Sequence, residues 1–238
     1  QTPASPHAAR KRHRGQKAAA CRVAVAAQRH LRQRVLEKAP LPQRRHRVAI
    51  GGHRLTVTHT DGFPVDPVEV DSVLIGMGER YDLQVTLDDG VFPVVADAEG
   101  KQDRAFALVR TAAGTAPASD VPVAELGTGR VGTAAGLSAT ASVTLHQASP
   151  DRVVHLALTG GMEAYDWGIN GRRFDMNDPL RDAHAVSMGE RVQLRIRNDT
   201  EMWHPFHLHG HTYQHAGGGP RKDTSIVLPN QTLDLEFD

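Results

Sequence analysis

Four imidazoles fall within eight residues of this chain, in the run Trp203-His204-Pro205-Phe206-His207-Leu208-His209-Gly210-His211. Successive side chains of an extended strand alternate faces. His207, His209 and His211 are therefore expected on one face and His204 on the other, unless Pro205 bends the run. Neutral imidazole is the commonest protein ligand for copper, zinc, iron and nickel, and two ligands spaced i, i+2 need little further ordering to form a site. A bare His-x-His is often no more than two rings bonded to nearby backbone. Here the imidazoles are interleaved with Trp, Phe and Leu in a segment expected to be half buried, and buried rings need polar partners. The residue types point to metal and leave its identity open.

The rest of the chain must hold this run in place. From about residue 47 Val, Thr and Leu alternate with polar residues, and Gly and Pro punctuate at short intervals, which predicts short strands joined by tight turns. Leu55, Val57 and His59 alternate in this way before the Asp61-Gly62 turn, and Leu83, Val85 and Leu87 follow Gly78-Glu79-Arg80-Tyr81-Asp82. Short strands are expected within 91–110, then around Val153, Leu156 and Leu158, at Val192, Leu194 and Ile196, and at Leu233, Leu235 and Phe237. Residues 113–141, rich in Ala, Gly, Thr, Ser and Pro, supply few large apolar groups and predict an interdomain linker. No apolar run reaches the roughly 18 residues of a membrane-spanning helix, and no contiguous apolar core at the start predicts a signal peptide.

A net charge of +1 conceals a division. Residues 1–47 carry 13 Lys or Arg and the single acid Glu37, against 15 basic and 26 acidic residues in the remainder. Ala, Leu, Gln and Arg over Lys17–Lys38 favour a basic helix if the segment is ordered. A nucleic-acid arm is one reading of such a stretch. The preferred expectation is a segment foreign to the fold, of the kind a neighbouring reading frame of GC-rich DNA produces, so nucleic acid is not expected as a partner. Cys21, the only cysteine, lies here and is expected to be incidental. His53 and His59 are expected to be ordinary strand histidines. Met162 and Met176 suit core gaps better than a soft-metal surface.

His204-Pro205-Phe206-His207-Leu208-His209-Gly210-His211 resembles the His-Pro-x-His-Leu-His-Gly-His signature in the last cupredoxin domain of the multicopper oxidases, the laccase and copper-resistance oxidase family. The strand, Asp-Gly turn and Gly-Glu-Arg-Tyr-Asp order near residues 55–82 resembles that family's middle domain. Tyr165, Trp167, Ile169, Asn170 and Gly171 resemble the entry to the last domain, and Lys222-Asp223-Thr224 also recurs in the family. The resemblance covers Arg47 to Asp238.

It implies an all-β chain of two cupredoxin-like Greek-key β-sandwich domains, preceded by a basic segment (1–46) expected to be disordered or helical. The first domain would span 47–112, the linker 113–141 and the second, truncated domain 142–238. By position, His204 would ligate a type 1 (blue) copper, His207 a type 2 copper and His209 one of a type 3 pair; the resemblance leaves His211 out. It further implies oxidation of phenols or reduced metal ions with reduction of dioxygen to water, in the periplasm or outside the cell. The family's His-Cys-His segment has no counterpart here, so the copper centres are expected to be incomplete and this fragment a poor oxidase alone. An uncovered sheet edge would then invite a second copy or a complementing chain. The alternative is a non-catalytic copper-binding protein. A cupin-like enzyme is disfavoured, because no Glu occurs between His211 and Glu236.

Overall fold

The computed structural model describes residues 20–26, 45–181 and 184–238. Among the described residues the architecture is all-β apart from one helical turn, α1 (Ala124–Gly127), and a single 3-10 turn at Ala134–Gly136. In chain order the strands are β1 (Ala20–Ala26), β2 (His46–Ile50), β3 (Leu55–Thr60), β4 (Phe63–Val70), β5 (Ser72–Ile75), β6 (Arg80–Thr86), β7 (Val91–Ala98), β8 (Arg104–Arg110) and β9 (Val131–Gly132). These build the first domain. The second comprises β10 (Arg152–Thr159), β11 (Gly168–Ile169), β12 (Val192–Asn198), β13 (His204–His207), β14 (Tyr213–His215), β15 (Arg221–Lys222), β16 (Thr224–Val227) and β17 (Thr232–Phe237).

The first domain packs the sheet β1-β6-β3-β4 against the sheet β8-β7-β2-β5-β9. The alternation read from sequence is what makes this possible: Leu55 and Val57 of β3 and Leu83 and Val85 of β6 point inward and are almost fully buried. There they meet Val73 and Ile75 of β5. Each such side chain contributes about 1.5–3 kcal/mol of burial. The second domain lays the six-stranded sheet β11-β10-β12-β17-β14-β15 over the pair β13-β16, around Val154, Leu194, Ile196, Tyr213, Val227 and Leu235. Crossover strands β10 and β12 run parallel, with Val154 opposite Leu194.

Two expectations need correction. Residues 20–26 are not helical: β1 pairs antiparallel with β6 from Ala20 opposite Thr86 to Ala26 opposite Arg80, so the fold recruits a strand from ahead of Arg47. Pairing with an existing sheet edge overrides local helix propensity here. The remainder of the expected Lys17–Lys38 helix lies outside the described residues. The expected linker does contribute to the cores. Val123 is buried against Ala49 and Val95, Leu137 joins the core of the first domain, Ala139 is buried, and β9 pairs parallel with β5.

The domains meet along a seam made by the β3–β4 turn and the β5–β6 loop on one side and β15–β16 on the other. Gly76 belongs there because a Cβ at that position would come within 2.1 Å of Ile226 Cδ1. Across the seam Arg80 grips Asp223 with two hydrogen bonds, Nη1 to Oδ1 at 3.0 Å and Nη2 to Oδ2 at 2.6 Å. Beside it Lys222 Nζ, fully buried, lies 3.2 Å from Asp61 Oδ2 and 3.4 Å from Glu79 Oε1. Burial pushes the Glu79 carboxyl upward against the pull of Lys222.

Candidate metal centre

Strand β13 carries His204 and His207 and pairs only with β16 among the described residues, His204 opposite Val227 and His207 opposite Thr224. Pro205 lacks an N–H to donate and is tolerated on β13, which among the described residues pairs along one edge. The two histidines are three positions apart, an odd spacing, so they occupy opposite faces about 10 Å apart along the strand. The strand ends at His207. Gly210 takes a positive φ of 75°, and His209 sits in the turn before β14 rather than in the strand, so the expected strand parity stops short of His209 and His211.

Hydrogen-bond chemistry fixes which nitrogen each ring presents. His204 Nε2 lies 2.7 Å from Thr200 Oγ1. That hydroxyl has one proton, which goes to Asn198 Oδ1 at 2.8 Å or the Met202 carbonyl at 3.0 Å, and its oxygen also accepts from Met202 N. With its proton given to Asn198 or Met202, the Thr200 hydroxyl accepts from His204 Nε2–H, and this assignment leaves the lone pair of His204 on Nδ1. Asn198, buried, holds this corner by donating from Nδ2 to the carbonyls of Met202 and Val227. The Trp167 indole meets the His204 ring edge to face at 5.1 Å. Burial lowers the His204 pKa, which favours the neutral ring a metal needs.

His207 is set the other way round. Its Nδ1 lies 2.7 Å from the carbonyl oxygen of Asp223, an atom that can only accept, so Nδ1 carries the proton and the lone pair is on Nε2. The Thr224 hydroxyl is 3.1 Å from the same nitrogen. Burial alone would raise the Asp223 carboxyl, but hydrogen bonds from Arg80 and Thr224 outweigh it and hold the carboxyl below its usual range. The His209 ring lies 5.2 Å from that of His207, centroid to centroid, and both residues are exposed rather than half buried as expected. The His211 ring packs on Phe237.

The structure thus brings His207 and His209 together and sets His204 apart, on the other face of one short strand. Among the described residues no three His, Cys, Asp or Glu side chains converge as a metal-binding group. The donor chemistry nevertheless fits copper: two imidazoles, each with one nitrogen committed to the protein and the other left for a metal. His53 is different, since both its nitrogens are used. Nδ1 bonds the Gly51 carbonyl and Nε2 accepts from Asp88 N, as a structural histidine should. Sequence reasoning did not find Thr200, Asn198 or Asp61. Lys222-Asp223-Thr224 was visible as a recurring motif but carried no role.

Residues 7–115 match one multicopper oxidase family model and residues 147–238 match a second. The first match includes β1, ahead of the expected domain start. Multicopper oxidase MmcO of Mycobacterium tuberculosis is 48% identical over 191 residues, covering 79% of this chain and 37% of that protein. Copper resistance protein A of Escherichia coli is 43% identical over 61 residues, 26% of this chain and 9% of that protein. This chain therefore spans well under half of either relative. Among solved structures, the L499M laccase from B. aclada superposes with a TM-score of 0.62 at 21% identity, covering 82% of this chain and 44% of that one. Fet3p, a multicopper oxidase that functions in iron import, gives a TM-score of 0.60 at 16% identity, covering 82% and 48%. At those identities the structures speak to the fold alone, and it is the cupredoxin-like β-sandwich expected from the sequence. With both domains matched in order and the histidine run in the second, the chain belongs to the multicopper oxidase family.

Proposed function

We propose that this chain is part of a copper-dependent oxidase, with His204 a ligand of a type 1 copper, His207 of a type 2 copper and His209 of a type 3 copper. The observation that carries this reading is the opposed commitment of the two β13 rings, Nδ1 offered by His204 on one face and Nε2 by His207 on the other. Copper, when bound, would supply one-electron oxidation of a phenol or a reduced metal ion and reduction of dioxygen to water. The chain's own part is to present lone pairs and to hold the rings still. Thr200 and the Asp223 carbonyl prevent either ring from flipping, and Trp167 shields one side of His204. The four residues of β13 tie both faces to one rigid element, so an electron accepted on one side has a short covalent route to the other.

Because no three ligands converge among the described residues, the 238-residue chain by itself is expected to bind copper without turning over. The same observation favours a second reading, a copper-binding protein without oxidase activity. Dioxygen uptake by the purified chain with a phenolic substrate and added Cu(II) separates the cases. Background uptake is expected from this chain alone, and robust turnover would overturn that expectation. Copper binding itself is tested by titrating Cu(II) while following its electron paramagnetic resonance. The copper reading requires that His204→Ala and His207→Ala each remove bound copper, and it fails for whichever residue can be replaced without that loss. Likeness to copper-resistance proteins also supports a periplasmic or secreted location. Among the described residues no helix is long and apolar enough to cross a membrane.

A further inference from the structure

We propose that Asp61, in the first domain, is the positioning residue for His207 in the second, acting through the single peptide group between Asp223 and Thr224. The inference rests on His207 being a copper ligand, and it adds that the domain seam orients the carbonyl that holds that ligand's tautomer.

The geometry is a relay of three groups. Thr224 N donates to Asp61 Oδ2 at 3.2 Å, and the carbonyl of the same peptide, Asp223 O, accepts from His207 Nδ1 at 2.7 Å. A carboxylate pulling on the N–H of a peptide makes its carbonyl a better acceptor, since hydrogen bonds in a chain polarise one another by about 10–30% each. A stronger acceptor at Nδ1 holds the proton there and makes Nε2 more basic, as a carboxylate does when it backs a metal-ligating histidine directly. Here the backing carboxylate is one peptide away and belongs to the other domain.

Nothing about Asp61 is incidental to this arrangement. Its Oδ2 also accepts from Asp223 N at 3.1 Å, and its Oδ1 accepts from Arg80 N at 2.8 Å, so both oxygens are filled by main-chain donors from two domains. The residue is held at φ 49°, a left-handed backbone that side chains other than Asn and Asp rarely adopt. It is buried, and Lys222 balances its charge. Arg80 closes the loop by donating Nη2 to the Asp61 carbonyl at 3.1 Å while gripping the Asp223 side chain. The carboxylate of Glu79 also faces Lys222 but accepts from Gly76 N, and no hydrogen bond joins it to the 223–224 peptide. That difference supplies the control.

The test reads the His207 ring directly in the metal-free, 15N-labelled chain, by long-range 1H–15N correlation, with the signal assigned from its loss in His207→Gln. Wild type is expected to show the Nδ1–H form alone. Asp61→Asn retains the side-chain shape and tolerates the left-handed backbone, but replaces one acceptor by a donor and removes the charge. It is expected to bring in the Nε2–H form and, in a Cu(II) titration, to weaken binding at His207 by about tenfold or more. Glu79→Gln removes a charge from the same buried cluster and is expected to leave the ring signal where it was. Should Asp61→Asn not fold, Asp61→Asn with Lys222→Gln removes both charges and gives the same reading. The proposal is overturned if His207 keeps the Nδ1–H form without Asp61, or if Glu79→Gln shifts it equally. If wild type and His207→Gln bind Cu(II) alike, the ligand assignment fails instead, and the tautomer measurement still decides whether Asp61 sets the ring.

Discussion

The chemistry of this chain depends on which nitrogen of each imidazole is occupied, and that is decided by single atoms. Thr200→Val keeps the shape of the side chain but deletes the acceptor of His204 Nε2–H together with the bonds to Asn198 and Met202. We expect a loss of about 1–3 kcal/mol in urea unfolding, because buried donors are left unpaired, and a His204 ring free to change tautomer, visible by 15N chemical shift. His215 carries the clearest pH signature. Burial, and then the charge of Lys222, lower its pKa to about 3, and Nε2 lies 2.7 Å from Ser225 Oγ. The folded state keeps this ring neutral while the unfolded chain takes up a proton near pH 6.5. The contribution is therefore fully present above about pH 6.5 and is lost as pH falls toward 3, by up to about 1.4 kcal/mol per unit. His215→Gln, which can still bond Ser225, should flatten the dependence of the urea midpoint between pH 4 and 7; an unchanged slope would count against it. The ligand candidates were legible in the sequence because four histidines in eight residues are rare among apolar neighbours. Their partners were not, since Thr200 precedes His204 by four residues and Asp223 follows His207 by sixteen, and only the fold joins them.

At the scale of elements, alternation was a sound guide wherever one face of a strand is buried. Leu55-Val57, Leu83-Val85 and Val192-Leu194-Ile196 fall on the inward faces of β3, β6 and β12 as their spacing requires. Helix propensity, the guide used for the basic segment, failed for β1, where Ala20–Ala26 becomes a strand because β6 offers a partner. Alternation failed after His207, where Gly210 turns the chain before the two-residue period can carry His209 onto the strand. What no periodicity shows is how closely elements approach. The β5–β6 loop and β16 touch at Gly76, where an added Cβ would also meet Ile226 Cγ1 at 2.5 Å. Gly76→Ala is expected to destabilise by about 1–3 kcal/mol through overpacking. Adding Ile226→Ala should recover part of that loss, so a double-mutant cycle yields a favourable coupling term. Additive effects would show that the loop and strand part without cost.

At the scale of the whole molecule, the two sandwiches are joined by charge as well as by shape, and the joint lies directly behind the candidate ligand. Lys222 is fully buried on the second domain, between Asp61 and Glu79 of the first. Its Nζ is within ionic distance of both carboxylates without a well-aligned hydrogen bond to either, so the attraction is less directional than that of Arg80 for Asp223. Such a cluster adds little net stability over an apolar filling, yet removing one member strands the others. Lys222→Met leaves two buried carboxylates facing each other and should cost about 3–5 kcal/mol. The Glu79 carboxyl, already pushed upward by burial, would then lose the cation that opposes this shift. Its pKa rises further, so the variant should be weakest at neutral pH and recover as acid protonates Glu79. Combining Lys222→Met with Glu79→Gln should restore stability at neutral pH while Asp61 keeps its three main-chain donors. Urea unfolding at pH 5 and pH 7.5 checks both statements. A Lys222→Met chain as stable as wild type at the higher pH would mean that the buried ammonium does not balance the two carboxylates, and that the Arg80–Asp223 pair and the main-chain donors to Asp61 hold the seam without it.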